Sequence, residues 1–118
     1  MSQEKHLKKL MELRKLRTRL AEEASIRQQN AERTASMAVD AAAERIIQND
    51  ESRLSRETAM YDQMSGGLLG RQALDDYQDA LSALTYQAAH LQQMEAQAKV
   101  KLVEEADKAR EKAAEHLS

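Results

Sequence analysis

The chain has 118 residues and a formal net charge of −2, with no Cys, Trp, Phe or Pro and only three aromatics, Tyr61, Tyr77 and Tyr86. Lack of cysteine excludes a disulfide framework and a thiolate metal site, and so few aromatics exclude a compact core built round large rings. Charged residues make up 32% of the chain, and with apolar positions held mostly by Ala and Leu this suits a single domain of long helices or coiled coil.

Ser2 can cap a first helix, and Glu4 suits its positive end. Leu7, Leu10, Leu13 and Leu16 follow three residues apart. At about 100° per residue each step of three falls about 60° short of a full turn, so these leucines spread round half the helix. Met11 widens the band, which is too broad for one partner helix. Between Lys5 and Arg19 lie seven basic residues against the single Glu12. No apolar run approaches the ~20 residues of a bilayer span. The basic start also lacks the continuous apolar stretch of a secretory signal.

From Leu20 an apolar stripe runs through Ala24, Ala31, Ala35, Ala38, Ala42, Ile46, Leu54, Tyr61 and Met64, with Gln28, Asn49 or Asp50, and Glu57 in the gaps. The run of fours Ala38-Ala42-Ile46-Asp50-Leu54 departs from a strict heptad and would relax a left-handed supercoil. All three glycines fall in Ser65-Gly66-Gly67-Leu68-Leu69-Gly70. Glycine ends helices at low cost, so this stretch is the turn, with Gly66 as the C′ residue. Leu68 and Leu69 either tuck under the turn or form a contact knob.

After the turn, Leu74, Tyr77, Leu81, Leu84, Ala88 and Leu91 alternate steps of three and four, a clean heptad stripe. It continues through Met94 or Glu95, Ala98, Leu102, Ala106, Ala109 and Ala113. Asp75 and Asp76 are expected in the first turn of this helix and Lys108, Arg110 and Lys112 near its end, matching the macrodipole. From Asp62 to Glu95 five acidic residues face only Arg71, so one end of the molecule is positive and the other negative.

The expected fold is all-α: two long helices in an antiparallel coiled-coil hairpin, helix 1 over about 3–64, turn over about 65–70 and helix 2 over about 71–116. Leu54, Leu74, Tyr77, Leu81, Leu84 and Leu91 are its expected seam. A turn centred near Leu68 sets Tyr61 level with Leu74, Leu54 with Leu81, Ile46 near Leu91, Ala38 near Ala98 and Leu20 near His116. Residues before about Thr18 then lack an intramolecular partner, an overhang of about 25 Å. An apolar, basic helix end with nothing to pack against points to a partner that surrounds it. The interleaved leucines favour a protein socket over nucleic acid or anionic lipid, although the basic run would serve either.

Chemistry is not expected elsewhere. His6, His90 and His116 are isolated from one another, and no Glu-x-x-His occurs. No strand precedes the glycines and no Lys-Ser/Thr follows, so they form no phosphate loop. Asp75, Asp76 and Asp79 would need a shaped pocket and a raised pKa to act catalytically, and a two-helix hairpin offers neither. The three tyrosines are too few for a base-stacking platform. The residues therefore indicate no enzyme, no cofactor and no metal. A homodimeric four-helix bundle remains an alternative use of the narrow seam.

The opening LKKLMELRKLRTRL (Leu7 to Leu20) and the segment ALDDYQDALSALTYQAAHL (Ala73 to Leu91) resemble the FliJ/YscO family of type III secretion proteins. Tyr77, Leu81, Leu84 and Gln87 match that family's pattern early in its second helix. The resemblance implies a stalk-like antiparallel coiled coil whose terminal end enters the hexameric secretion ATPase. It implies Leu7, Leu10, Leu13, Arg14 and Arg17 as ring contacts, and the turn half, with Tyr61, Leu68, Leu69 and Tyr86, as the part facing the export gate and export chaperones. It further implies a cytoplasmic protein at the inner-membrane base of the apparatus, with no nucleic-acid partner and no membrane insertion. The short chain leans towards an injectisome, and an export chaperone or escort is the alternative function.

Overall fold

The computed structural model describes residues 2–66 and 70–117. Helix α1 (Ser2–Ser65) has 64 residues and α2 (Arg71–Leu117) has 47. They run antiparallel: Gln28 meets Glu105 near one end, while Tyr61 meets Tyr77 near the other. Among the described residues there is no strand. The molecule measures 98 × 23 × 20 Å. A straight 64-residue helix would be about 96 Å long, so α1 alone sets the length. The radius of gyration is 27.4 Å, roughly twice that of a compact domain of this size.

The α1 seam runs through Ala21, Ala24, Gln28, Ala31 and Ala35, then Val39, Ala42, Ile46, Asn49, Arg53, Arg56 and Met60, all buried or half-buried. Steps of three and four alternate, except for a doubled step of four at Ala31-Ala35-Val39. That doubling falls earlier than the run of fours expected from the sequence, and Ala38 is exposed. After Ile46 the seam steps by three to Asn49. Following Leu54 instead would need successive steps of four, each turning the stripe about 40° further from its partner. Leu54 therefore lies off the seam, 73% exposed.

The α2 seam is Tyr77, Leu81, Leu84, Ala88, Leu91, Glu95, Ala98, Leu102, Glu105 and Ala109. Leu84 is its one buried leucine, and Tyr77, Leu81 and Leu91 are half-buried. Next to the turn the contact face moves to Ala73 and Ala80, which leaves Leu74 exposed, a second correction to the expected seam. Among the described residues the buried apolar ones are Ala35, Ala42 and Leu84, and the buried polar ones Gln28, Asn49 and Glu105. A narrow seam of this kind brings two axes close but encloses little.

At the turn, the Gly66 N–H donates to the Asp62 carbonyl (2.8 Å) and the Leu74 N–H to the Gly70 carbonyl (3.2 Å). Among the described residues no glycine takes a positive φ, so Gly66 extends the helical bonding and is not a left-handed cap. A Cβ there would sit 3.1 Å from the Asp62 oxygen. Leu68 and Leu69 lie outside the described residues. Because α2 begins at Arg71, its first turn holds no acid. Asp75 and Asp76 fall in the second turn, where the macrodipole acts more weakly.

Candidate functional site

The unequal arms leave one segment of α1 without a mate. Every residue from Ser2 to Leu20 is exposed, and Ala21 is the first half-buried one. Leu20, expected at the start of the seam, belongs to the free segment. Leu7, Leu10, Met11, Leu13, Arg14 and Arg17 gather round one shallow groove of about 280 Å3. Spacings of three and four bring them onto adjoining faces of successive turns. All five residues with an expected ring contact thus share one surface, three of them aliphatic and two guanidinium. Leu10 is 59% exposed, an unusual state for a leucine among leucines.

Where the free segment joins the seam, a wider groove of about 730 Å3 opens between the arms. Its walls are Ala21, Ala24, Gln28 and Glu32 on α1 and Ala109 and Ala113 on α2. Alanines at Ala21, Ala24, Ala109 and Ala113 leave this space between the arms, and the longer Gln28, Glu32 and Lys112 line it without closing it.

A polar clamp closes the seam just inside that groove. The Gln28 side-chain amide donates to the Glu105 carbonyl (2.7 Å) and to its carboxylate (3.2 Å). Lys101 approaches the same carboxylate at 3.0 Å and Lys108 at 3.5 Å. The Lys101 hydrogen bond holds the Glu105 carboxyl below its ordinary range; burial opposes this and the Gln28 amide adds to it. The Lys101 ammonium is raised in turn, chiefly by the same hydrogen bond. Two signals of the clamp lie in the sequence: Gln28 fills a gap in the α1 stripe, and Glu105 falls seven residues after Ala98 on the α2 heptad.

In the turn half the expected contacts separate. Tyr61 is exposed and packs edge-on to Tyr77, ring centroids 6.2 Å apart. Tyr86 is 75% exposed on the outer side of α2, parallel to His90 at 6.5 Å. Tyr61 and Tyr86 therefore do not share a surface. What does form is an exposed row of Ile47, Leu54 and Tyr61, seven residues apart on α1, with exposed Leu74 across from it on α2. Leu54 and Leu74, expected in the seam, belong to this outer row.

Inside the turn half, Arg53 and Arg56 hold seam positions. Arg53 pairs with Glu57 (2.8 Å) and reaches Thr85 (3.4 Å). Arg56 donates to Gln87 (2.9 Å) and to the Asn49 side chain (2.6 Å), while its Nε is buried without a partner. Their aliphatic stems cover the α2 apolar bank and their heads stay polar.

Among the described residues, no group of His, Cys, Asp or Glu is arranged to hold a metal ion, and no helix is long and apolar enough to cross a membrane. The arrangement offers surfaces for protein contact.

Comparison with known proteins agrees with the form of the chain. The family model described as type III secretion protein YscO matches residues 7–118. No curated protein matches, and no solved structure does. The matched span takes in the free leucine-rich end, the turn and all of α2, and the chain belongs to the YscO family of type III secretion proteins.

Proposed function

We propose that this protein is the non-enzymatic central stalk of a type III secretion system. Its free end enters the hexameric secretion ATPase, and Leu7, Leu10, Leu13, Arg14 and Arg17 touch the ring. The turn half faces the export gate, and export chaperones meet it there. The stalk works on the cytoplasmic side, at the inner-membrane base of an injectisome.

The observation that carries this reading is the unequal reach of the arms, 64 residues against 47, with an aliphatic, cationic surplus on the longer one. A rigid rod set off-centre in a ring touches its subunits differently. It therefore shifts their nucleotide states unequally, which is the differential contact that coupling requires. No active site is needed for this.

ATPase activity measured with and without the protein tests the reading. Wild type should stimulate the ATPase, and the variant carrying Leu10→Asp with Arg14→Glu should not. Both positions are exposed, so the hairpin itself should fold. Equal stimulation by the variant would sink the socket assignment.

The exposed row at Leu54, Tyr61 and Leu74 favours a second reading, an export escort that binds its partner through the turn half. Deleting residues 1–18 separates the two. A stalk loses its ATPase, and an escort keeps its chaperone or substrate.

A further inference from the structure

Among the described residues, two exposed apolar surfaces lie at opposite ends of the molecule and carry opposite charge. The free end, Ser2–Leu20, has seven basic residues against Glu4 and Glu12. The turn half, residues 47–66 and 70–89, has seven acidic residues against Arg53, Arg56 and Arg71. Its apolar row, Ile47, Leu54 and Tyr61, repeats every seven residues, the spacing a packed helix needs. Leu74 lies on the same side. The Arg53 guanidinium reaches Thr85 across that side (3.4 Å), and Leu74 stands about three turns from Thr85 on α2.

We infer that this side of the turn half is a docking surface for a second copy of the chain, which supplies its own free end. Two copies laid side by side and antiparallel, in full overlap, bring each free end against the other's turn half. At ~1.5 Å per residue, Ser2–Leu20 and residues 47–65 each cover about 27 Å, so the lengths match. In that register Leu13 comes level with Leu54 of the second copy, Leu20 with Ile47, and Arg17 with Asp50. A two-fold axis relates the contacts, both free ends are covered at once, and the pair closes without growing into a fibre. Charge, length and periodicity together single out this occupant. Residues 5–19 are the basic amphipathic helix that the chain itself offers with its apolar face open.

The inference stands apart from the stalk reading and restricts it. A paired molecule hides the segment that an ATPase ring would take, so pairing and ring entry exclude each other. Self-association then keeps the free end covered until a socket is available.

The test uses the full chain alone, by sedimentation and small-angle scattering. Expected is twice the 13.3 kDa mass with a longest dimension still near 98 Å, and a shift towards single chains as salt rises. Arg17→Glu and Asp50→Arg, both at exposed positions, should each weaken pairing tenfold or more while circular dichroism stays helical. Mixing the two variants should restore it, because each contact of the mixed pair again joins opposite charges. A wild-type chain that stays single at low salt overturns the inference. So does a paired mass with a dimension well beyond one rod, which would mean end-to-end contact, or a mixture that stays unpaired.

Discussion

In the turn half the two arms bring opposite chemistry to one seam. From α2 come Tyr77, Leu81, Leu84, Ala88 and Leu91; from α1 come Asn49, Arg53, Arg56 and Met60. The α1 leucine of this stretch, Leu54, points away from the contact. In the open half both arms place alanines on the seam, Ala24, Ala31, Ala35 and Ala42 from α1 and Ala98 and Ala109 from α2, beside the Gln28–Glu105 clamp. The difference shows that phase, and not apolar content, decides which side of a helix is enclosed. One well-phased bank suffices if the other side lays long aliphatic stems across it. It also shows where large apolar side chains go when the seam has no room for them: to an outer row at Ile47, Leu54 and Tyr61.

The sharpest way to break this comparison is to truncate one leucine from each arm. Leu84 is 8% exposed, and Leu84→Ala should cost about 2–4 kcal/mol, the usual range for an enclosed leucine. In dilute solution, where copies of the chain stay apart, Leu54→Ala should cost less than about 0.5 kcal/mol, as at other exposed sites. Urea unfolding of the two variants measures both. Similar losses would mean that the α1 seam passes through Leu54 after all.

The polar bank gives the next largest effect. Asn49 accepts from the Arg56 guanidinium at 2.6 Å, and the Arg56 Nε already lacks a partner. Asn49→Ala should therefore cost about 1–3 kcal/mol, because it leaves more of a half-buried cation unsatisfied. Asn49→Leu combined with Arg56→Met removes donor and acceptor together and should be much better tolerated. If the double variant proves worse than Asn49→Ala in thermal melts, the polar pair contributes attraction and not merely tolerance.

The same phase argument explains what could be read from the sequence. Along α2 the apolar residues keep a strict heptad, so Tyr77, Leu81, Leu84 and Leu91 are legible as one stripe. The free end is legible because the glycines stand off-centre, which makes the arms unequal whatever the packing. The grouping of Leu7, Leu10, Leu13, Arg14 and Arg17 follows from spacing alone. Along α1 beyond Ile46 the enclosed residues are polar, and hydropathy favours Leu54 over Arg53. Only the α2 bank opposite decides between them. The Gln28–Glu105 clamp was hidden for a related reason. Each residue falls on the stripe of its own helix as a polar interruption, and only the register between the helices brings the two together.

That clamp should make stability depend on acid in one direction. The folded Glu105 carboxyl lies below the ordinary 4.5. Its contribution is therefore full above that value and lost as pH falls from about there through the depressed folded pKa. Lys101 is raised above 10.5, so its share is full below 10.5 and lost as pH climbs through the raised value. Melting temperature between pH 6 and pH 3 should drop in wild type, and the drop should be shallower in Glu105→Gln. Parallel profiles would show that other carboxylates carry the acid dependence.

The smallest effect is the one that isolates the free end. Leu10 belongs to the same residue type as Leu84 and sits among more leucines, yet it is 59% exposed. In dilute solution, where copies of the chain stay apart, Leu10→Ala should change stability by less than about 0.5 kcal/mol. The lost side chain leaves no cavity and uncovers nothing that was covered. A helix end with no tertiary partner also frays at little cost, since packing supplies most helical stability. Amide exchange should therefore be fast over Ser2–Leu20 and slow near Ala35, Ala42 and Leu84. If Leu10→Ala were as costly as Leu84→Ala in the isolated chain, the leucines of the free end would have to pack within their own molecule, leaving nothing for a partner to enclose.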